Sequence, residues 1–132
     1  MEIEQFRVTL RARDSDRTCH FYGETLALPR IDSFEEDDLQ GSLYQAGPAV
    51  IEILGRRPGR PRREDDQLFE YRGPAHEMEL TLEVPSPQKA YDELIFRQHN
   101  IPGGMRTDEN GDELFETHDP DGVRIFFRKA GA

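Results

Sequence analysis

Residues 115–128 read FETHDPDGVRIFFR, and two runs of alternating apolar residues flank a central turn sequence, DPDG. Proline with a following glycine is typical of a tight reversal, so this stretch predicts a β-hairpin that ends in a strand. On one side of that strand the alternation places three apolar side chains, namely Val123, Ile125 and Phe127. On the other side Phe126 lies between Arg124 and Arg128, and an aromatic ring among charges indicates a half-hydrated surface or pocket.

A strand and a helix precede this hairpin. Residues 78–84 alternate between apolar and polar side chains, which predicts a half-buried strand. Ser86 and Pro87 are typical of the N-cap and first turn of a helix. The predicted apolar face of that helix consists of Ala90, Tyr91, Leu94 and Ile95. Three strands follow the Pro-Gly-Gly break, near residues 105–107, 113–118 and 123–128, so the order of elements is βαβββ.

The first half of the chain predicts the same order. Residues 6–12 alternate like a half-buried strand, and a helix then begins at a capping residue and stops at Pro29. The candidate caps are Asp14, Ser15 and Asp16. The predicted helical face consists of Thr18, Cys19, Tyr22 and Leu26. Three strands follow at residues 30–34, 42–46 and 49–54, with the acidic residues 35–38 at a hairpin tip.

The two halves are related by an internal repeat. Aligning residues 6–14 with residues 78–86 matches the apolar positions one for one through Ala12 and Val84. The same alignment places Thr9 on Thr81. We therefore predict an α+β fold of two βαβββ modules within a single domain. The predicted bounds are 1–54 for module one, 55–75 for the linker and 76–132 for module two.

Composition limits both the size of the fold and its partners. A chain of 132 residues with 35% hydrophobic content has room for one compact domain. A formal net charge of -10 disfavours nucleic acids and acidic membranes, because contacts to phosphates supply most of such affinity. A neutral or cationic small molecule is the expected partner. The single cysteine, Cys19, permits no internal disulfide, and no long apolar run or signal sequence is present, so we expect a cytoplasmic protein.

The linker contains a basic block. Residues 55–63 read GRRPGRPRR and carry five arginines, which raises the possibility of nucleic-acid contacts. The acidic residues 64–66 follow directly, and the whole chain is acidic. We therefore interpret the linker as a solvated connection.

Several motifs together resemble the vicinal oxygen chelate superfamily, which includes glyoxalase I, ring-cleaving dioxygenases, bleomycin-resistance proteins and fosfomycin-resistance enzymes. They are the paired βαβββ modules, the strand PAVIEIL at 48–54, the DPDGVRIFF segment and an early helical pattern. That early pattern is carried by Asp14, Phe21, Tyr22, Leu26, Leu28 and Pro29. The resemblance implies a curved, eight-stranded mixed sheet with both helices on its convex side. It does not by itself fix the reaction.

The resemblance also implies four positions for metal ligands. They lie on the first and fourth strands and at the two repeat equivalents, and here they read Arg7, Glu52, Glu79 and Phe126. Arginine is a permanent cation and phenylalanine has no donor atom, so neither ligates a divalent ion. We therefore predict that the superfamily's usual metal site is lost, with no metal and no cofactor.

An arginine in place of a ligand suggests a different use of the site. In the repeat alignment Arg7 corresponds to Glu79, and in the resembled fold the two strands meet, so its guanidinium is expected to lie near both Glu52 and Glu79 and to take over the charge of a metal ion. The alternative is that these charges coat a hydrated surface. The predicted ligand-binding residues are Arg7, Thr9, Arg11, Glu52, Glu79, Thr81, Glu83 and Phe126.

The histidines do not suggest a catalytic group. His76 has the wrong strand parity to join Glu79 unless a bulge shifts the register. His118 adjoins Asp119, and turn hydrogen bonding explains that pair more simply than catalysis does. No Ser-His-Asp or Cys-His arrangement is legible in the sequence.

Three classes of function remain open. The leading one is a metal-free small-molecule-binding protein of the glyoxalase and bleomycin-resistance type. The second is a lyase, isomerase or dioxygenase-like enzyme with an atypical metal site, using Glu52 and Glu79 as ligands or Glu79 as a base. The third is a structural or regulatory interaction module. We expect a homodimer, with the exchange of modules between chains left open.

Overall fold

The structure is a computed structural model that describes residues 1–57 and 78–131. The chain divides into two compact units, Met1–Gly73 and Pro74–Ala132. Most of the predicted linker, its acidic residues 64–66 and His76 lie outside the described residues, so the predicted module boundaries stay predictions. No helix among the described residues is long and apolar enough to cross a membrane.

The first unit contains one mixed four-stranded sheet and one helical segment. The elements are β1 (Phe6–Arg11), α1 (Ser15–His20) continuing into a π-helical turn (Phe21–Thr25), β2 (Arg30–Glu36), β3 (Leu39–Ala46) and β4 (Ala49–Arg56). The strand order is β1-β4-β3-β2. β1 is parallel to β4, and the other neighbours are antiparallel.

The second unit repeats this arrangement. Its elements are β5 (Glu79–Val84), α2 (Pro87–Phe96), β6 (Arg106–Thr107), β7 (Glu113–His118) and β8 (Arg124–Lys129). The strand order β5-β8-β7-β6 is that of the first unit, again with one parallel and two antiparallel pairings. The predicted α+β fold of two βαβββ modules is therefore confirmed, and its eight strands form one sheet of four in each unit.

Side chains cap both helices as the sequence predicts. The carboxylate of Asp14 accepts a hydrogen bond from the backbone N–H of Arg17 at 3.2 Å, and the hydroxyl of Ser86 accepts one from Lys89 at 3.2 Å. Such caps satisfy backbone donors that have no partner within the helix. The π-helical turn was not predicted, and there the N–H of Leu26 reaches back five residues to the carbonyl of Phe21 at 2.8 Å.

Each unit packs its helix against one face of its sheet. In the first unit the core includes Leu10, Tyr22, Tyr44, Ile51 and Ile53, all at most 6% exposed. In the second unit it includes Leu94, Ile101, Phe115, Val123, Ile125 and Phe127, also at most 5% exposed. The burial of the last three confirms the predicted alternation of the final strand.

Two apolar residues of the alternating segments, Phe6 and Met78, and one residue of the predicted helical face, Ile95, are exposed. Phe6 is 62% exposed and Met78 is 37% exposed. Phe6 begins β1 and Met78 immediately precedes β5, and each of these strands forms an edge of its sheet, so few neighbours cover them. Ile95, in the last turn of α2, is 46% exposed, whereas Ile101, in the loop that follows, is buried at 5%.

The DPDG sequence forms the predicted turn. The carboxylate of Asp119 accepts hydrogen bonds from the N–H groups of Asp121 and Val123, at 2.8 and 3.0 Å. Gly122 has a φ of 88°, which only glycine adopts without strain. The N–H of Asp119 also donates to the carbonyl of Val123 at 3.0 Å, and this bond closes the hairpin between β7 and β8.

Candidate functional site

Thr9 and Arg7 both contact one carboxylate on the face of the first sheet that is opposite α1. Thr9 lies across from Glu52 in the parallel pairing of β1 and β4. Its hydroxyl donates a hydrogen bond to Oε1 of Glu52 at 2.6 Å. The guanidinium of Arg7 lies 3.6 Å from Oε2 of the same carboxylate and donates to the amide oxygen of Gln5 at 3.1 Å. The structure therefore places three predicted site residues together.

Arg11 has the same strand parity as Arg7 and Thr9, so it lies on this face as well. It is exposed, and its guanidinium makes no ion pair with any residue in the described ranges. We call the face defined by Arg7, Thr9, Arg11 and Glu52 the first polar face. It combines an ion-paired carboxylate with a solvent-facing arginine.

The equivalent face of the second sheet carries a chain of ion pairs. Glu79 lies directly across from Arg124, and Nη1 of Arg124 is 3.0 Å from Oε1 of Glu79. Nε of Arg124 lies 3.4 Å from Oε2 of Glu116, which in turn lies 3.4 Å from Arg106. Sequence reasoning placed Arg124 on this face but missed its pairing with Glu79. The parallel pairing of β5 with β8 is the feature that places Glu79 beside Arg124.

The rest of this second polar face holds the remaining predicted site residues. Thr81 lies across from Phe126, and Glu83 lies across from Arg128. Phe126 is half-buried, and the guanidinium of Arg124 lies 5.9 Å from its ring centroid, within the range of a cation–π contact. The structure thus brings Glu79, Thr81, Glu83 and Phe126 onto one face.

The strand registers of the two units show which positions of the polar faces are equivalent in the internal repeat. Thr9 pairs with Glu52 in the first unit, and Thr81 pairs with Phe126 in the second. Glu52 and Phe126 are therefore equivalent positions, as the sequence alignment of Thr9 with Thr81 implied. The proposed contact of Arg7 with Glu79 joins the two units and stays a prediction.

Two groups with displaced pKa values lie on the opposite, helix-facing sides of the sheets. Burial, reinforced by a hydrogen bond and charge interaction with Cys19, raises the pKa of Tyr44 to about 12. Burial lowers the pKa of His99, whose Nε2 lies 2.5 Å from the hydroxyl of Thr117. Neither group belongs to the polar faces. In the described part of each unit, no three His, Cys, Asp or Glu side chains are placed to hold one metal ion.

The polar faces offer hydrogen-bond donors more than free acceptors. The Glu52 carboxylate is held by Thr9 and Arg7, and the Glu79 carboxylate is held by Arg124. The guanidinium groups and the Thr81 hydroxyl present donors, the Thr9 hydroxyl retains acceptor lone pairs because its proton is donated to Glu52, and the Phe126 ring presents an apolar surface. Such a set is suited to recognising a small molecule by hydrogen bonds and stacking.

Comparisons with known proteins agree with this architecture. The sequence model of the Glyoxalase/Bleomycin resistance protein/Dioxygenase superfamily matches residues 5–127. No curated protein matches the sequence.

Solved structures with low sequence identity share the fold. TioX from Micromonospora sp. ML1 has a TM-score of 0.71 at 13% identity, with 96% of this chain and 98% of that chain covered. Lactoylglutathione lyase from Agrobacterium tumefaciens has a TM-score of 0.69 at 11% identity, covering 95% and 92%. The trypanothione-dependent glyoxalase I of Leishmania major has a TM-score of 0.65 at 20% identity, covering 97% and 87%.

Proposed function

The chain belongs to the Glyoxalase/Bleomycin resistance protein/Dioxygenase superfamily, and from this premise we propose that it binds a small organic molecule without the superfamily's usual metal ion. The observation that carries the proposal is that an arginine of the same unit already pairs with each carboxylate of the expected ligand set. Arg7 lies 3.6 Å from Glu52, and Arg124 lies 3.0 Å from Glu79.

The donor set at the four expected positions does not fit a divalent ion. Arg7 and Phe126 supply no ligand atom, which leaves two carboxylates where three or more protein ligands are usual. A metal at this site would also have to displace two arginines from those carboxylates. Guanidinium groups supply positive charge and directional donors without any metal.

The expected ligand is one that is recognised by hydrogen bonds as well as by charge. The overall charge of -10 favours a cation. The polar faces, however, place arginines beside their carboxylates, so local recognition depends less on the ligand's net charge. Thr9 and Thr81 add hydroxyls, and Phe126 adds a ring on which a planar ligand would stack.

Calorimetric titration with zinc, nickel and manganese tests the metal-free proposal. We expect no tight binding by the unmodified protein. The variant Arg7→His adds an imidazole to the two carboxylates and should raise the affinity for at least one of these ions. Arg17→His, on α1, is the matched control and should change nothing.

The opposite result has a definite meaning. Tight, stoichiometric binding by the unmodified protein that is lost in both Glu52→Gln and Glu79→Gln would overturn the proposal. It would favour the metal-dependent lyase, isomerase or dioxygenase-like enzyme instead.

A homodimer is the assembly that we propose for this binding protein. The chain has a low apolar fraction, and pairing of two chains would bury apolar side chains that one chain leaves exposed, such as Phe6 and Phe96 at 62% and 88%. Light scattering at micromolar concentration is the test. A monomeric mass would contradict this part of the proposal and leave the ligand proposal standing.

A further inference from the structure

The first unit contains an open groove on the helix-facing side of its sheet, away from the polar face. It lies between α1 and the hairpin of β2 and β3, and its volume is about 480 Å³. The residues that matter to its chemistry are Asp16, Cys19, Arg30, Ser33, Gln40 and Ser42. Nothing in the proposed function uses this groove.

The groove exists because a packing residue is missing. Strand register makes Ser42 the equivalent of Phe115, since each lies across from the residue that follows the Glu52 or Phe126 position. In the second unit the Phe115 ring fills this space and is completely buried, with the ring of Tyr91 5.4 Å away. In the first unit a serine stands there, and the space remains open to ligand.

Charge is separated along the groove. Arg30 lies across from Tyr44 at one end, Ser33 lies across from Ser42 in the middle, and Glu35 lies across from Gln40 at the other end. Asp16 also belongs to this other end, because its carboxylate accepts a hydrogen bond from Gln40 at 3.1 Å. One end is therefore cationic and the other is anionic.

Groups at both ends retain capacity to bind a ligand. Among the described residues, the Arg30 guanidinium makes no ion pair or hydrogen bond. The amide nitrogen of Gln40 donates to Ser15 and to Asp16, which turns its carbonyl oxygen away from both. Glu35 is partly neutralised by Arg57 at 3.3 Å, whereas the Asp16 carboxylate accepts a hydrogen bond from the neutral amide of Gln40. Asp16 and the Gln40 oxygen form an acceptor pair for an ammonium group.

We propose that this groove binds a short peptide with free termini, its carboxylate at Arg30 and its ammonium at Asp16 and Gln40. At about 3.3 Å per residue, the Cα atoms of Arg30 and Glu35 lie roughly 16 Å apart. An extended tripeptide is about 10 Å long, which lies within this separation and leaves about 3 Å at each end for hydrogen bonds to its termini. The hydroxyl of Ser33 lies midway, where a peptide backbone offers polar groups.

Cys19 provides a direct measure of occupancy, because it lines the groove and is the only cysteine of the chain. The rate at which iodoacetamide alkylates it is measured in the full-length protein with increasing tri-L-alanine. We expect saturable protection. N-acetyl-tri-L-alanine and tri-L-alanine amide each lack one terminal charge and should protect at least about fivefold more weakly, since charge-assisted hydrogen bonds are the strong ones.

Two variants test the cationic and the anionic end of the groove independently. Arg30→Gln should weaken tri-L-alanine binding and remove the preference over the amide, and Asp16→Asn should remove the preference over the acetylated peptide. Arg17→Gln, on the same helix, should leave both preferences intact. Backbone amide shifts of Ser33 and Ser42 measure the same binding if a variant alters thiol reactivity. Equal protection by all three peptides, no protection up to about 20 mM, or unchanged preferences in both variants would overturn the proposal.

Discussion

The two units have the same strand order, yet the edge and inner strands that form their ion pairs carry opposite charges. In the first unit the edge strand β1 supplies the cation, Arg7, and the inner strand β4 supplies the carboxylate, Glu52. In the second unit the edge strand β5 supplies the carboxylate, Glu79, and the inner strand β8 supplies the cation, Arg124. In each unit the carboxylate of the expected ligand set is thus paired with an arginine of the same unit.

The helix-facing sides differ in another way. Phe115 fills the space beneath α2, stacks 4.6 Å from Phe127 and is completely buried. Its equivalent, Ser42, is only half-buried and borders a groove. The same backbone thus supports a packed core in one unit and an open surface in the other, so side-chain volume and not topology determines where a cavity forms.

The largest expected effect is a loss of stability when the buried ring of Phe115 is removed. Phe115→Ala should reduce the free energy of unfolding by about 3–5 kcal/mol, because a large buried ring is lost and a cavity remains. The equivalent change in the first unit, Ser42→Ala, should cost no more than about 1 kcal/mol. Urea denaturation followed by circular dichroism measures both. Similar losses for the two variants would show that the units do not differ in packing as described.

A smaller effect is expected at alkaline pH in the first unit. The pKa of Tyr44 is raised to about 12 in the folded state, so the folded protein favours the neutral phenol. The stability that the neutral Tyr44 phenol contributes is therefore complete below pH 10 and is lost, by roughly 2–3 kcal/mol, as the pH rises through about 12. Tyr44→Phe should reduce this decline, whereas Tyr91→Phe should not. Thermal unfolding between pH 9 and pH 12 is the measurement, and identical pH profiles for wild type and Tyr44→Phe would contradict the assignment.

In the second unit, a pH-dependent loss of stability is expected at acidic pH. Thr117 is the equivalent of Tyr44, and its hydroxyl lies 2.5 Å from His99. Because burial lowers the pKa of His99 from 6.5, the unfolded chain takes up a proton first as the pH falls. The stability that neutral His99 contributes is complete above pH 6.5 and declines below it, through the lower folded-state pKa.

His99→Asn removes this titration and keeps a polar partner for Thr117. Its melting temperature should therefore depend less steeply on pH between 6.5 and 5 than that of the wild type. His20→Asn, exposed on α1, is the control and should leave the steepness unchanged. An unaltered slope in His99→Asn would mean that another group causes the acid sensitivity.

Local patterns in the sequence were sufficient to predict the repeat, the capping of both helices and most strands. They identified Ser86 and the DPDG turn, and gave Asp14 as one of three candidate caps, because each of these depends on residues close together in the chain. Alternation also placed Arg7, Thr9 and Phe126 on the correct faces, since strand parity is a local property.

Features that depend on distant pairing were missed. The contact of Glu79 with Arg124 joins residues 45 positions apart, and it follows from a register that alternation does not reveal. The groove was missed for a related reason. It requires comparison of Ser42 with Phe115, whereas the sequence alignment covered only the first strand of each module. The exposure of Ile95 was missed because helical periodicity does not show which turns of a helix the rest of the fold covers.

The smallest expected effect concerns the two opposite ion pairs. Double-mutant cycles with Glu79→Gln and Arg124→Met, and with Glu52→Gln and Arg7→Met, isolate each pair from its neighbours. These side chains are partly exposed, with 50% and 47% for the second-unit pair, so solvent screens them. We expect a coupling of about 0.5–1 kcal/mol for Glu79 with Arg124, which lie directly opposite at 3.0 Å. The diagonal pair of Arg7 with Glu52, at 3.6 Å, should give about 0.2–0.5 kcal/mol. Both couplings should shrink in 1 M salt. A stronger coupling in the first unit would reverse the order that the two distances predict, and it would mean that Arg7 is held more firmly than its geometry within that unit explains.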